Sequence, residues 1–260
     1  MIKIIPVKTK LLSSNEDLNA FLLQSLREKG VSLKSRDIVI ISSKIAALSQ
    51  NRVVDLSTLS STNWKQLKKS GLDSRFITLV VQEADEIIGS VPGAILTLKN
   101  GMLLANAGVD QSNATGEGKA ILLPKNPEKV AQSALECLEK AYKCPLGVII
   151  ADSATRPLRR GTTGVALATA GFAPVIDERG EKDLYGREMR ITTRALADNL
   201  VTAAQIVMGE SNEQVPLVII RNISEQLFKR EKGLSAAIEP ERCLFFGNLS
   251  YSDLKKEMLN

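Results

Sequence analysis

The spacing of hydrophobic positions changes several times along the chain, and each change marks an element. MIKIIPV at the start reads as a short strand. Over residues 15–29, Leu18, Phe21, Leu22 and Leu26 recur at helical spacing, which predicts a capped amphipathic helix. DIVIISSKIAAL (37–48) begins as a buried strand, and 62–70 reads as a short basic helix. ITLVVQEADEII (77–88) carries strand and helix signals together. AILTLKNGMLLANAG (94–108) is the strongest hairpin, two β-rich runs joined by Asn100-Gly101, a pair suited to a type I′ turn. Residues 127–142 read as a helix with Val130, Ala134, Cys137, Leu138 and Ala141 on one face. GVIIAD (147–152) and PLVIIRNI (216–223) read as buried strands. Residues 189–210 open strand-like and become a helix through Leu196, Leu200, Ala203, Ala204 and Val207. Strands and helices alternate without a regular βαβ rhythm, so the expected class is α+β, with mixed and antiparallel sheets and packed helices. Residues 1–223 form the expected catalytic region, open to division into two subdomains. Residues 224–260 are more polar and read as a segment packed on the surface or on a partner.

Composition narrows the chemistry. The chain has 260 residues, of which 44% are hydrophobic, enough for a sizeable core. The formal net charge is +5, part of it in KQLKK (65–69) and LKKE (254–257), which a solvated face explains. Aromatics make up 4%, too few for base-stacking platforms, so no nucleic acid is expected. A basic surface does suit an anionic small molecule. The cysteines, Cys137, Cys144 and Cys243, have no CxxC pairing and read as reduced thiols of a cytoplasmic protein. No signal peptide and no membrane-spanning run is recognised. There is no histidine, which excludes Ser-His-Asp and Cys-His catalysis, histidine-ligated zinc and histidine general bases. A metal here must be held by oxygen.

Asp110 and Asp152 are the leading candidates. Each closes an apolar strand-like run, LLANAGVD and GVIIAD, and small polar residues follow. A carboxylate held rigidly at a strand exit suits a hard cation such as Mg2+; turn formation or N-capping accounts for it equally. RPLRRGTTG (156–164) follows Asp152 directly and places Arg156, Arg159 and Arg160 beside it, suited to bidentate recognition of carboxylate or phosphate. TGEGKA (115–120) is not a phosphate-binding P-loop, because Asn113 stands at the first glycine position and Ala120 at the hydroxyl position. DERGEKDLYGRE (177–188) is either a plain charged loop or one whose glycines let backbone approach a ligand. Gly209-Glu210 is either a helix end or a third carboxylate for a metal.

Several of these segments, taken in order, resemble the coenzyme F420 gamma-glutamyl ligase family. The carriers are NAGVDQSN (106–113), GVIIADS with RPLRRG (147–161), DLYGRE (183–188), and ADNLVTAAQIVMGE with PLVIIR (197–221). DIVIISSKIAALSQNRVV (37–54) resembles the family's first nucleotide-proximal segment. The resemblance implies a ligase that joins L-glutamate to the lactyl carboxylate of a phosphodiester-linked deazaflavin with GTP as co-substrate. It implies a family-specific α+β fold, an intertwined homodimer, and Mg2+ or Mn2+ at the phosphates, and it allows a monovalent cation as well. By matching motifs, the metal ligands are Asp110, Asp152, Ser153 and Glu210. Ser43, Lys44 and Asn113 match nucleotide contacts, as does the loop 208–215 with Met208, Gly209 and Glu210. Asp110, Asp152 and Arg156 are the expected catalytic set. The partners are then nucleotide, L-glutamate and an anionic acceptor, with no membrane.

The chain departs from the family pattern at four points. Leu48 stands where a second lysine is usual, Ser153 where threonine is usual and Asn222 where glycine is usual, and TKLL (9–12) lacks a Leu-Pro pair. Such drift around an intact metal set leaves two alternatives: another carboxylate acceptor such as a folate, or a non-catalytic nucleotide- or deazaflavin-binding homologue.

Overall fold

The computed structural model describes residues 1–230 and 235–248. Part of the expected C-terminal segment, 231–234 and 249–260, including LKKE (254–257), lies outside the described residues. In chain order the elements are β1 (Lys3–Val7), α1 (Leu18–Glu28), β2 (Ile38–Ser42), α2 (Ser43–Ser49), β3 (Val53–Asp55), α3 (Ser74–Glu83), β4 (Glu86–Val91), β5 (Ala94–Lys99) and β6 (Met102–Ala105). They continue with β7 (Lys119–Ile121), α4 (Pro127–Tyr142), β8 (Gly147–Thr155), β9 (Thr162–Ala170), β10 (Val175–Asp177), β11 (Thr193–Ala195), α5 (Leu196–Met208) and β12 (Leu217–Arg221). The class is α+β. Two compact units divide the chain: Met1–Arg52 with Pro124–Ala236, and Val53–Leu123 with Ala237–Asn260. Among the described residues no helix is long and apolar enough to cross a membrane.

The first unit is built on a five-stranded mixed sheet of order β1-β12-β2-β8-β9. Only β2 and β8 run parallel; the other pairs are antiparallel. Ile38, Val39, Ile40 and Ile41 are all buried, as are Val148, Ile149 and Ile150. Both faces of these central strands are therefore covered, which is why their sequence reads as an unbroken apolar run. Ile38, Ile40, Ile149, Ala151, Ala166, Val218 and Ile220 share one core with Leu196, Leu200, Val201 and Ala204 of α5. α4 packs on β8 and β9, and α1 packs on α4.

The helices form where periodicity and capping agree. Asp17 Oδ1 accepts the Ala20 N–H at 2.6 Å and starts α1, whose Leu18, Phe21, Leu22 and Leu26 are all buried. Each fully buried Leu or Phe contributes roughly 1.5–3 kcal/mol. α4 spans the expected residues and begins at Pro127, but its buried face is Pro127, Ala131, Ala134, Leu135 and Leu138. Val130 and Cys137 are only half-buried and Ala141 is exposed, so the face lies rotated from the predicted one. The cause is two-sided packing, on the sheet and on α1, which a single-stripe reading does not capture.

The second unit holds two small sheets, β3-β7 and β4-β5-β6. Phe76, Leu79, Val80, Ile95, Val109 and Leu122 lie in its core. The ambiguous stretch 77–88 is both things in turn, the end of α3 followed by β4. The β5–β6 hairpin turns at Asn100 (φ 50°) and Gly101 (φ 72°), both left-handed as a type I′ turn requires. The expected helix over 62–70 is a 3₁₀ segment, Lys65–Ser70, closed by Gly71. Lys119 and Ala120 of TGEGKA lie in β7, paired with β3.

Candidate active site

Asp152 does not stand at the exit of its strand. β8 runs on to Thr155 and pairs with β9 as a hairpin, Asp152 opposite Val165 and Ser153 opposite Gly164. Arg156–Gly161 form the connection between the strands. The sequence reading missed β9 because TTGVALATA is made of small residues with no strong apolar period. The register shifts between Ile150 and Ala151, where Leu167 is skipped on β9. Next to this irregularity the Ala166 N–H donates to Asp198 Oδ1 of α5 at 2.9 Å. A Cβ on Gly164 would lie 2.6 Å from the Thr202 nitrogen, so glycine is what lets α5 approach β9 this closely. The Thr202 hydroxyl donates to the Gly164 carbonyl at 3.3 Å across that contact.

One edge of the sheet gathers the candidates of the first unit. In the parallel β2–β8 pair Ser42 lies opposite Ala151; there β2 gives way to α2 at Ser43–Lys44, while β8 runs on through Asp152–Ser153. Ser42 Oγ caps α2 by accepting the Lys44 N–H at 3.3 Å. The Ser42 N–H donates to the Pro216 carbonyl at 2.9 Å, and the Thr9 N–H to the Gln214 carbonyl at 3.0 Å. Those two bonds bring the 209–216 loop to the same edge. Met208 ends α5, partly buried against its core, and Gly209 turns the chain with φ 69°.

Glu210 is exposed but held. Ser153 Oγ donates to its Oε2 at 3.4 Å, and Thr162 Oγ1 to its Oε1 at 3.3 Å. Gln205 Nε2, from the last turn of α5, also donates to Oε1. The half-buried Asp152 accepts the Ser153 N–H on Oδ1 at 2.8 Å. Alternation puts Ala151 and Ser153 on the face covered by α5, and Asp152 on the other. Arg156 turns two donors onto β9, Nε to Thr163 Oγ1 at 2.7 Å and Nη2 to the Gly164 carbonyl at 3.3 Å.

Asp110 and Asn113 belong to the second unit. Asp110 pairs with Ile121 through two backbone bonds, N–H to carbonyl at 3.0 and 2.7 Å. Its carboxylate accepts the Ser112 N–H at 2.8 Å and the Ser112 hydroxyl at 2.7 Å, an Asx-turn that holds the side chain at the loop. Asn113 is exposed and left-handed, φ 54°. Among the described residues of either unit, no three His, Cys, Asp or Glu side chains form a metal-ligating group. The donors present at the sheet edge are carboxylate and hydroxyl oxygens, the type that Mg2+ and Mn2+ prefer, so the residues fit such a cation chemically.

Thr162 and Gln205 were not singled out in the sequence. Their types are common and their partner lies 48 residues away for Thr162, so no local signal marks them. The charged stretch 177–188 makes a small excursion between β10 and β11, with Asp183 Oδ1 accepting the Tyr185 and Arg187 N–H groups at 2.8 Å.

Comparison with known proteins agrees with the resemblance seen in the sequence. A family model described as F420-0:Gamma-glutamyl ligase matches residues 6–222, and the chain belongs to that family. It is 38% identical over 223 residues to the coenzyme F420:L-glutamate ligase of Methanococcus maripaludis strain C7, covering 85% of this chain and 88% of the relative. The enzyme of that name from Methanothermobacter thermautotrophicus is 34% identical over 233 residues, 88% of this chain and 92% of the relative. That of Methanocaldococcus jannaschii is 38% identical over 192 residues, 73% and 76% respectively.

Proposed function

We propose that this chain is a GTP-dependent ligase that adds L-glutamate to the carboxylate of a coenzyme F420 precursor. Family membership supports the amide-forming class. The observation that supports the site is the Ser153–Glu210 bond at the end of β8, the strand that pairs with β2 just before Ser43–Lys44.

A carboxylate resists attack by an amine, so it needs activation. The acceptor carboxylate attacks the γ-phosphorus, the bond to the β-phosphate oxygen breaks, and GDP leaves with an acyl phosphate formed. The glutamate amine then attacks the acyl carbon, the C–O bond breaks, and phosphate departs while the amine gives up a proton. A Mg2+ or Mn2+ would be held by the oxygen ligands of this strand end, Glu210 with Ser153 on one face of β8 and Asp152 on the other, and would neutralise phosphate charge. Lys44 supplies a cation to the nucleotide phosphates at the edge. The segment 208–215, held by the Thr9 N–H at Gln214 and followed by Pro216, which accepts the Ser42 N–H, would line the nucleotide. Arg156, steadied by Thr163 and Gly164, offers its guanidinium to the anionic acceptor.

The homodimer belongs to the same reading. Leu184, Tyr185 and Ile191, near the β10–β11 pair, are 98%, 84% and 87% exposed, which supports a covering partner there. Unbridged Cys137, Cys144 and Cys243 support a cytoplasmic setting.

The test is incubation with GTP or ATP, Mg2+ or Mn2+, L-glutamate and a panel of carboxylate acceptors. Phosphate release that requires both glutamate and the deazaflavin acceptor is the expected result. Tight nucleotide binding without turnover on any acceptor would overturn it.

A further inference from the structure

Glu210 has no need of its three hydrogen bonds for folding. It is exposed, where a bond to water serves nearly as well. Yet donors from three separate elements converge on it: Ser153 of β8, Thr162 of β9 and Gln205 of α5. They are not shared evenly. Oε1 takes both Thr162 and Gln205, whereas Oε2 takes Ser153. Gln205 Nε2 also reaches Thr162 Oγ1 at 3.3 Å, so the two donors to Oε1 brace each other.

A carboxylate oxygen accepts about two hydrogen bonds. Two donors on Oε1 therefore fill it, and one donor on Oε2 leaves an electron pair. We infer that Gln205 and Thr162 are positioning residues: by filling Oε1 they turn Glu210 so that Oε2, on the Ser153 side, is the oxygen presented to a divalent cation. The inference rests on the proposed reading of this sheet edge as a cation and nucleotide site. The arrangement also assigns a reason for Gly209. The chain must leave α5 sharply, φ 69°, for a carboxylate one residue later to fold back within reach of Gln205. Partners of this outer kind, behind the ligands, set metal affinity by about 10–100-fold in other sites.

Mn2+ titration of the full chain, followed by electron paramagnetic resonance with and without GTP, tests this apart from turnover. The variants are Gln205→Met, Thr162→Val, Thr162→Ser and Glu210→Gln, each with its thermal midpoint measured. The expected result is that Gln205→Met and Thr162→Val each weaken Mn2+ binding about tenfold or more at near-unchanged thermal midpoint. Thr162→Ser, which keeps the hydroxyl, should restore it. If Gln205→Met and Thr162→Val bind Mn2+ as the parent does while Glu210→Gln does not, Glu210 is a ligand that needs no positioning, and the inference is overturned alone. If Glu210→Gln also binds as the parent does, or the parent binds no Mn2+, the reading of the edge fails and takes the inference with it.

Discussion

Arg221 closes a fork on the buried carboxylate of Asp37, with Nε at 3.0 and 3.1 Å from the two oxygens and Nη2 at 2.6 Å from Oδ2. The pair joins the residue before β2 to the last residue of β12, and the Asp37 side chain is 1% exposed. Arg221 Nη2 also donates to the Ser32 carbonyl at 2.7 Å, and the Lys34 N–H donates to Asp37 Oδ2 at 2.8 Å. Hydrogen bonding to Asp37 raises the Arg221 pKa above its ordinary value. Removing one partner strands a buried charge. Arg221→Leu should therefore destabilise by about 3–5 kcal/mol, measured by urea unfolding. A loss under 1 kcal/mol would mean that water reaches the carboxylate.

Asp152→Asn should abolish turnover while leaving the fold in place. Asparagine keeps an oxygen acceptor for the Ser153 N–H, now at 2.8 Å, so that bond of the hairpin is retained. What it loses is the charge that a cation requires. Phosphate release should fall by at least about a hundredfold, with a thermal midpoint within a few degrees of the parent. Retained activity would remove Asp152 from the site.

Gly164→Ala tests how tightly α5 must lie on β9. The new Cβ would sit 2.6 Å from the Thr202 nitrogen and from the Val201 carbonyl carbon, both backbone atoms that cannot swing aside. Overpacking of this kind costs about 1–3 kcal/mol. Because α5 carries Gln205 and leads into Glu210, activity should fall further than stability alone explains, read as kcat at a temperature well below the midpoint. Unchanged stability would show that α5 slides freely on the sheet.

Much of this architecture could be read from residue spacing. Leu18, Phe21, Leu22 and Leu26 named their helix, Asn100-Gly101 named its turn, and the unbroken apolar runs of β2, β8 and β12 named the centre of a sheet. β9 could not be read, because a strand of Thr, Gly and Ala is held by its partner β8 rather than by its own pattern. Asp152 is a candidate legible in the sequence, but its place inside a hairpin depends on that unseen strand. The start of α2 at Ser43 and Lys44 comes to the same end of the sheet only because β2 and β8 are parallel, which no local period records. Asn222 shows the reverse case. The glycine that the resemblance leads one to expect there makes sense once the residue is seen at φ 66°, a left-handed position that asparagine tolerates better than most.

Asp177 should titrate at about 2. The Arg179 side chain causes this first, donating from Nε to Oδ1 at 2.7 Å, and the Arg179 N–H adds a bond at 3.1 Å. A depressed carboxylate stabilises the fold above its ordinary value of 3.8, and that contribution is lost as pH falls through about 2. Both groups lie on the surface, so the effect on global stability is small. Carbon-detected NMR should show the low midpoint, and Arg179→Gln should bring it back up towards 3.8. A midpoint of 3.8 in the parent would mean that the pair is open in solution.

Leu48 stands where the resemblance leads one to expect a second lysine, and its burial decides what introducing that lysine should do. It is 9% exposed in α2, whose Ile45, Ala46 and Ala47 are buried with it. Its carbonyl accepts the Asn15 and Asn51 N–H groups at 3.1 and 3.0 Å, so the backbone there is fixed. A lysine would have to thread its stem out of this packing to reach a phosphate. Leu48→Lys should therefore cost about 2–3 kcal/mol from lost apolar burial and leave GTP affinity unchanged. Calorimetric titration of GTP, with thermal unfolding of both proteins, checks the two halves separately. Tighter GTP binding at an unchanged midpoint would mean that the stem escapes to the nucleotide. In that case the missing charge, and not the packing of α2, is what sets this chain apart from its relatives.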